Sequence, residues 1–458
     1  MGQVTGNSPS TYRAYLRGAV DRIPQLQGLS DDQRLALKTV SAVLPFKVNN
    51  YVVEELINWD DIPNDPIYQL TFPQEGMLAT DDFRRVRDLI HSEASPGQLA
   101  VAVEEIRRGL NPHPGGQLEL NVPRLDGEPV AGLQHKYRET VLFFPSHGQT
   151  CHAYCTYCFR WAQFVGSKEL KFASSDVTTL VRYLAEHPEV TDVLITGGDP
   201  MTMKTRVLRR YLEPLLEVET LTSIRLGTKS VAWWPQRFLE GEEADDLMRL
   251  FEQVQARGKH LALMAHYSHP RELSTQVAEQ ALRRISSSGA VVRCQAPLIR
   301  GVNDSAEVWA ELWKRQVRLG AVPYYMFVER DTGPKEYFKV PLARALDLFQ
   351  EAYGTISGLA RTVRGPTMSA TPGKVQVVGS TEVAGERLFV LKVLQARDPR
   401  WINEILFARY DAEAAWLTEL RPALGSDEFF AQTPRQAAPR ASRPSARVAL
   451  PLAEVLGS

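Results

Sequence analysis

Between residues 141 and 327 the chain alternates six short apolar runs with longer amphipathic stretches, a pattern that few architectures satisfy. The runs fall at 141–144, 192–195, 223–226, 260–264, 291–294 and 322–327, each of a length that suits a buried strand. The stretches between them present helical faces, with Val277, Ala281, Leu282 and Ile285 on one and Val308 with Leu312 on another, ahead of Gly320. Strand and helix in strict alternation imply parallel strands joined by right-handed crossovers. The expected fold is therefore α/β, six strand–helix units curled into a partial barrel. Its functional groups would gather at the C-terminal ends of the strands.

The flanks read differently. Residues 1–130 are expected to form a mainly helical subdomain. Within it, Ser30-Asp31-Asp32 and Thr80-Asp81-Asp82 are capping starts, and a further helix runs from Ser95-Pro96 to near Gly109, where NPHPGG breaks it. Residues 131–375 hold the barrel and 376–428 a small mixed extension. The Ala-, Pro- and Arg-rich residues 429–458 are expected to be a flexible tail, and the first ten residues disordered. A length of 458 residues allows a substantial core. A net charge of −1 without a long basic run speaks against nucleic acid and anionic membranes. No apolar stretch approaches the roughly 20 residues of a membrane span. MGQVTGNSPS has no signal-like pattern, so a cytoplasmic protein is expected.

The chemistry points to one loop, CHAYCTYCFRW, which starts at Cys151 a few residues after the first strand. It carries Cys151, Cys155 and Cys158, three of the four cysteines in the chain, as thiols kept for a metal rather than a disulfide framework. Three thiolates in so short an arc can hold three irons of a four-iron, four-sulfur cluster, leaving the fourth open to an outside molecule. The alternative is structural zinc with His147 or His152 as fourth ligand, although no second ligand pair is present. Cys294 lies in an apolar run and reads as a small buried hydrophobe.

Further motifs follow in order: TGGDP at 196–200, HYSHPRE at 266–272, LIRGVND at 298–304 and VPYYMF at 322–327. With CxxxCxxC, this series resembles the lysine 2,3-aminomutase family of the radical S-adenosylmethionine superfamily, over about residues 135–374. The resemblance implies a radical SAM barrel that binds a 4Fe-4S cluster, S-adenosylmethionine and pyridoxal 5'-phosphate. It would shift an amino group from C2 to C3 of a free amino acid, of lysine or glutamate type. Cys151, Cys155 and Cys158 would ligate the cluster. Gly197, Gly198 and Asp199 would hold the methionine amino group, with Gln295 near a strand end also facing the cofactor. His266 and His269 are further candidates for the mouth. Lys374 of TPGK would carry pyridoxal phosphate, though one glycine precedes it where the family has a longer glycine run. Arg160 would pair with the substrate α-carboxylate.

At the position facing the distal end of the substrate, counting from Tyr324 gives Arg330, and counting back from Lys374 gives Thr367, where lysine-specific members place aspartates. A distal carboxylate or neutral group fits that pocket better than an ammonium; a one-residue slip to Asp331 would restore lysine. The resemblance further implies a reductant such as flavodoxin or ferredoxin. No cysteine follows Cys294, so assembly through a C-terminal zinc site is not expected, while a homodimer through other surfaces is compatible. Rival readings are a dehydratase, a decarboxylase or a protein-lysine aminomutase on the same scaffold, and a non-catalytic iron-sulfur sensor.

Overall fold

The computed structural model describes residues 11–166 and 171–432. The expectations for residues 1–10 and for most of the tail lie outside the described residues.

Strand β1 (Leu133–Tyr137) pairs antiparallel with β2 (Thr140–Phe143). Six parallel partners follow in sequence order: β3 (Asp192–Ile195), β4 (Ser223–Thr228), β5 (His260–His266), β6 (Val291–Leu298), β7 (Val322–Val328) and β8 (Arg364–Ser369). Four antiparallel strands extend the sheet: β9 (Gly373–Val383), β10 (Glu386–Ala396), β11 (Ile405–Arg409) and β12 (Pro422–Ala423). The order β1 to β12 is unbroken and the sheet is open. Because each parallel strand lies beside its predecessor, right-handed crossovers place the intervening helices on one face. Alternate residues of the strands then face a cavity on the other side, such as Gln134 and Lys136 of β1, Met264 and His266 of β5, and Gln295 and Pro297 of β6.

All six expected strands are present, several extended by a few residues. The helical faces largely match the expected ones: Ala281, Leu282, Ile285 and Leu312 are buried as expected, while Ala278 is buried in place of Val277. Helix Gln276–Ser287 buries Ala278, Ala281, Leu282 and Ile285, and helix Ala306–Arg318 buries Trp309, Leu312, Trp313 and Gln316. The second is a clean i, i+3, i+4, i+7 stripe, and it relegates Val308 to its edge.

In the N-terminal segment, α1 (Asp31–Val43) and α4 (Pro96–Gly109) begin on capping boxes, Ser30 with Gln33 and Ser95 with Gln98. Between them lie α2 (Pro66–Thr71) and α3 (Thr80–His91), whose cap residue is Ala79, so Thr80 is the first helical residue rather than the cap. These helices share one apolar core with the parallel strands.

Two expectations about the C-terminal side are corrected. RGPTMS, whose Gly, Pro and Thr content suggests a connector rather than a strand, is strand β8; its proline is accommodated where the pairing with β7 shifts register between Tyr325 and Phe327. The boundary at 375/376 falls inside β9, and residues 429–431 end a short helix, Asp427–Ala431, whose Phe429 and Phe430 are buried. Two adjacent aromatics can enter a core even beside a low-complexity tail. Among the described residues no helix is long and apolar enough to cross a membrane.

Candidate active site

The cysteine loop leaves β2 and is clamped to the N-terminal helical layer. Tyr154 N–H donates to Lys47 O (2.8 Å) and Thr156 N–H to Leu70 O (2.9 Å), while the Thr156 hydroxyl donates to Gln69 O (2.7 Å). Asn49 and Tyr12 side chains both donate to His152 O, at 3.2 and 2.8 Å. Tight turns follow, with Cys158 N–H on Cys155 O (3.1 Å) and Trp161 N–H on Cys158 O (2.9 Å). The three thiols open into one cavity of about 320 Å³.

Burial raises the pKa of each thiol, that of Cys158 to about 12, and neighbouring thiols raise it further at Cys151 and Cys158. Three thiols so placed ionise together only against a strongly positive partner. Among the described residues no three His, Cys, Asp or Glu side chains are grouped as ligands of a single ion. A four-iron cluster, by contrast, meets its thiolates at separate irons. His147 and His152, the candidate fourth ligands for zinc, do not line the cavity. Their Nδ1 atoms are engaged by the Tyr211 hydroxyl and the Ser230 hydroxyl, each at 2.7 Å. The residues present fit a cluster better than zinc.

TGGDP follows β3, and the glycines are required by the cysteine loop itself. A Cβ on Gly198 would lie 2.4 Å from Thr150 N, and one on Gly197, at φ +130, would lie 2.2 Å from the Gln149 amide nitrogen. Asp199 N–H donates to Thr150 O (2.7 Å) and Gly148 O (3.0 Å), joining the two loops. The Asp199 carboxylate accepts from Met201 N–H, the Thr228 hydroxyl, Lys229 N–H, Ser230 N–H and the Ser230 hydroxyl, all at 2.8–2.9 Å. It is 2% exposed. With its lone pairs so engaged, this carboxylate builds the loop rather than offering itself to an ammonium ion, which corrects the reading of GGD as simply a ligand contact.

Lys374 is the second residue of β9 rather than a loop lysine. A Cβ on Gly373 would fall 2.1 Å from Gln395 O across the β9–β10 ladder, so the glycine serves strand approach. The Lys374 amine lies over the Tyr325 ring at 4.8 Å and the Tyr137 ring at 5.6 Å. Burial, helped by Arg225 and Arg364, lowers its pKa from 10.5 to about 7. A half-deprotonated amine at neutral pH is what carbonyl condensation needs. Lys136, which lies 5.2 Å from the same Tyr137 ring, donates to Ala370 O and is also pushed down by burial.

Arg160 and Arg330 both lie over Phe159, at 4.9 and 5.0 Å from its centroid. Arg160 is 8% exposed and its NH1 has no partner; Arg330 donates from NH2 to Ser369 O (3.1 Å) while its Nε is buried without one. Burial lowers the pKa of Arg160 to about 9 and that of Arg330 as well. Thr367 is fully buried and does not line the cavity, whereas Ser369, two residues further along β8, does. Asp331 is also outside the lining, its backbone carbonyl accepting from the Asn111 amide (2.7 Å).

Gln295 and His266 line the cavity, whereas His269 accepts from Arg271 N–H (3.2 Å) and caps a helical turn. Missed by the sequence reading were Lys136, Arg225, Lys229 and Glu329, all lining residues. Polar residues at alternate positions of otherwise apolar strands, as in QHK of β1 and IRLG of β4, were the available signal. Arg225 is paired with Asp192 and Lys229 with Glu272, the latter at 2.7 Å. Burial pushes the Glu329 carboxyl well above its usual range, against the opposing pull of Arg330. Among the described residues, the cavity cations without a carboxylate partner are Lys136, Arg160, Arg330 and Lys374.

A cysteine triad beyond the first parallel strand of an in-order α/β sheet, facing GGD from the next, defines the radical S-adenosylmethionine class of enzyme. No family model matches the chain. It is 30% identical over 395 residues to a protein of Aquifex aeolicus named "Putative L-lysine 2,3-aminomutase", covering 86% of this chain and 92% of that one. It is 25% identical to L-lysine 2,3-aminomutase of Bacillus subtilis over 67% of this chain and 68% of that one. Identity is 26% to glutamate 2,3-aminomutase of Clostridioides difficile, over 51% and 52%. A radical SAM methyltransferase from Sphaerobacter thermophilus aligns at TM-score 0.35 and 17% identity, covering 52% of this chain and 68% of that one, too loosely to add to the sequence relationship. The chain belongs to the lysine 2,3-aminomutase family and is, like its members, an isomerase.

Proposed function

We propose that the chain is a 2,3-aminomutase for a free amino acid with a distal carboxylate, of glutamate rather than lysine type, working in a partial (β/α)6 barrel. The observation that carries the substrate reading is the pair of arginines around Phe159, each with a buried N–H that has no acceptor among the described residues. A guanidinium fork matches a carboxylate in two hydrogen bonds. Arg160 would take the α-carboxylate and Arg330 the distal one.

In this reading Cys151, Cys155 and Cys158 hold a 4Fe-4S cluster, the Gly197-Gly198-Asp199 loop and Gln295 border S-adenosylmethionine, and Lys374 receives pyridoxal 5'-phosphate. Lys136, beside the same tyrosine as Lys374, would neutralise the phosphate. Bound there, the cluster and S-adenosylmethionine supply radical initiation, and pyridoxal phosphate supplies the π-system across which the amino group moves. The protein's own part is placement: two arginines fix both ends of the substrate, Tyr137, Tyr324 and Phe327 wall the cavity, and the Lys374 amine is kept reactive. A low-potential donor such as flavodoxin or ferredoxin would reduce the cluster.

Anaerobic incubation with reductant, both organic cofactors and a mixture of amino acids tests this directly. The expected product is the β-isomer of glutamate or of a similar dicarboxylic amino acid. Arg330→Asp should lower kcat/KM for that substrate roughly thirtyfold, from loss of about 2 kcal/mol of charge-assisted hydrogen bonding. Efficient turnover of lysine that Arg330→Asp weakens would overturn the substrate assignment. Retention of a full cluster by Cys155→Ala would overturn the ligand assignment.

A further inference from the structure

The cavity has a second end, away from the cysteine loop. On β4 it is lined from Arg225 to Lys229, about 13 Å along the strand, so it reaches the N-terminal halves of the parallel strands. Lys374, Arg225 and Tyr324 line it there. Tyr137 pairs with Thr140, the first residue of β2, so Lys136 belongs to this end too.

Three arginines gather at it. Arg225, the third residue of β4, is held by Asp192, which also accepts from the Thr140 and Ser223 hydroxyls at 2.9 and 2.7 Å, and its charge is cancelled. Arg293, third in β6, and Arg364, first in β8, are placed differently. Each guanidinium carbon lies 5.5 Å from the centre of the Tyr324 ring, and among the described residues neither arginine is paired with a carboxylate. Arg364 also donates from NH1 to the Tyr325 hydroxyl (3.2 Å), and the Tyr325 ring lies 4.8 Å from the Lys374 amine. Two like charges drawn onto one ring repel each other, and an anion bridging them removes that repulsion. Arg364 is exposed while Tyr324 lines the cavity, so the group spans from solvent to the cavity wall, one ring away from Lys374.

We propose that Arg293, Tyr324 and Arg364 form an anion-capture site at the N-terminal end of the parallel strands, which draws the phosphate group of pyridoxal phosphate toward Lys374. The proposal rests on the pyridoxal reading of Lys374 given above. A phosphate has oxygens enough for both guanidinium forks. Capture precedes seating beside Lys136, and it acts on the rate of arrival rather than on the finished site.

The experiment measures how fast a carbonyl compound becomes fixed to Lys374 of the full-length protein under borohydride, read from the Lys374 peptide by mass spectrometry. It is run with pyridoxal 5'-phosphate and with pyridoxal, which lacks the phosphate. In the wild-type protein the phosphate form should label faster. Raising the ionic strength from about 0.01 to about 1 M, which shortens the screening length from about 30 to about 3 Å, should remove that advantage. Arg293→Gln made together with Arg364→Gln should lower the rate with pyridoxal phosphate about tenfold relative to the rate with pyridoxal. Taking the ratio removes any change in the Lys374 amine itself, on which Arg364 acts. Arg249→Gln with Arg283→Gln, an equal loss of charge at exposed positions of two outer helices, should leave the ratio alone. An unchanged ratio in the Arg293 and Arg364 double variant, or an equal fall for both compounds, would overturn the proposal. So would a wild-type rate with pyridoxal phosphate that ignores salt, a result that needs no variant to fold. No label on Lys374 from either compound would overturn the pyridoxal reading, and this proposal with it.

Discussion

Lys374 shows how one side chain can be prepared by its surroundings before any cofactor arrives. Burial and two arginines hold its amine at a pKa of about 7 against 10.5 in water. Covalent trapping of pyridoxal phosphate by borohydride should therefore rise with a midpoint near pH 7, read by peptide mass spectrometry. Label on another lysine, or a midpoint near 10, would contradict the assignment. The same shift has a consequence for stability. Between about pH 7 and 10.5 the unfolded chain binds a proton at this site that the folded chain does not, so stability contributed here rises as pH climbs through that window. Lys374→Met should flatten that part of the stability–pH curve in urea unfolding. None of this was legible in TPGK, because sequence gives the lysine but not the depth of the strand that carries it. Arg160 and Arg330 were legible by position, while the saturation of Asp199 by five donor groups was not, since those donors come from two separate loops.

At the scale of elements, local spacing carried most of the information. Alternating apolar runs located the six strands, and Ser30 and Ser95 marked helix starts. Strand β8 was hidden because Gly365 and Pro366 read as turn residues, and only pairing with β7 makes them a strand. Some residues of the resemblance motifs serve the fold rather than the cavity. Asn303 of LIRGVND donates to Ser268 O (2.9 Å) and Pro297 O (3.0 Å), and Arg271 of HYSHPRE pairs with the fully buried Asp65 of the N-terminal layer. Motif glycines likewise hold elements together. Gly198→Ala and Gly373→Ala should each cost roughly 1–3 kcal/mol through backbone overlap, the first chiefly lowering iron content and the second chiefly lowering pyridoxal phosphate content. Calorimetry with cofactor analysis checks both, and variants with wild-type melting temperature and loading would show that the close approaches are not limiting.

For the whole molecule the organisation is two cores that share one cavity. The larger core joins the N-terminal helices to the parallel strands and surrounds the cysteine loop through Ala153, Tyr157, Trp161 and Ala162. The smaller one lies under β9, β10 and β11, with Val375, Val377, Phe389, Leu391 and Val393 among its members. Lys374 stands next to Val375, so this lysine is carried by the smaller core while the thiols are carried by the larger. Segments with separate cores open with separate free energies. Leu391→Ala, at a fully buried position, should cost about 2–5 kcal/mol and fall mainly on local opening of the antiparallel extension. The variant should then lose covalently trappable pyridoxal phosphate at a denaturant concentration where the iron chromophore persists. Leu263→Ala, equally buried in the larger core on β5, should release both together. Parallel loss of lysine labelling and iron absorbance in Leu391→Ala would mean that the sheet transmits opening across β8 and that the two cores unfold as one.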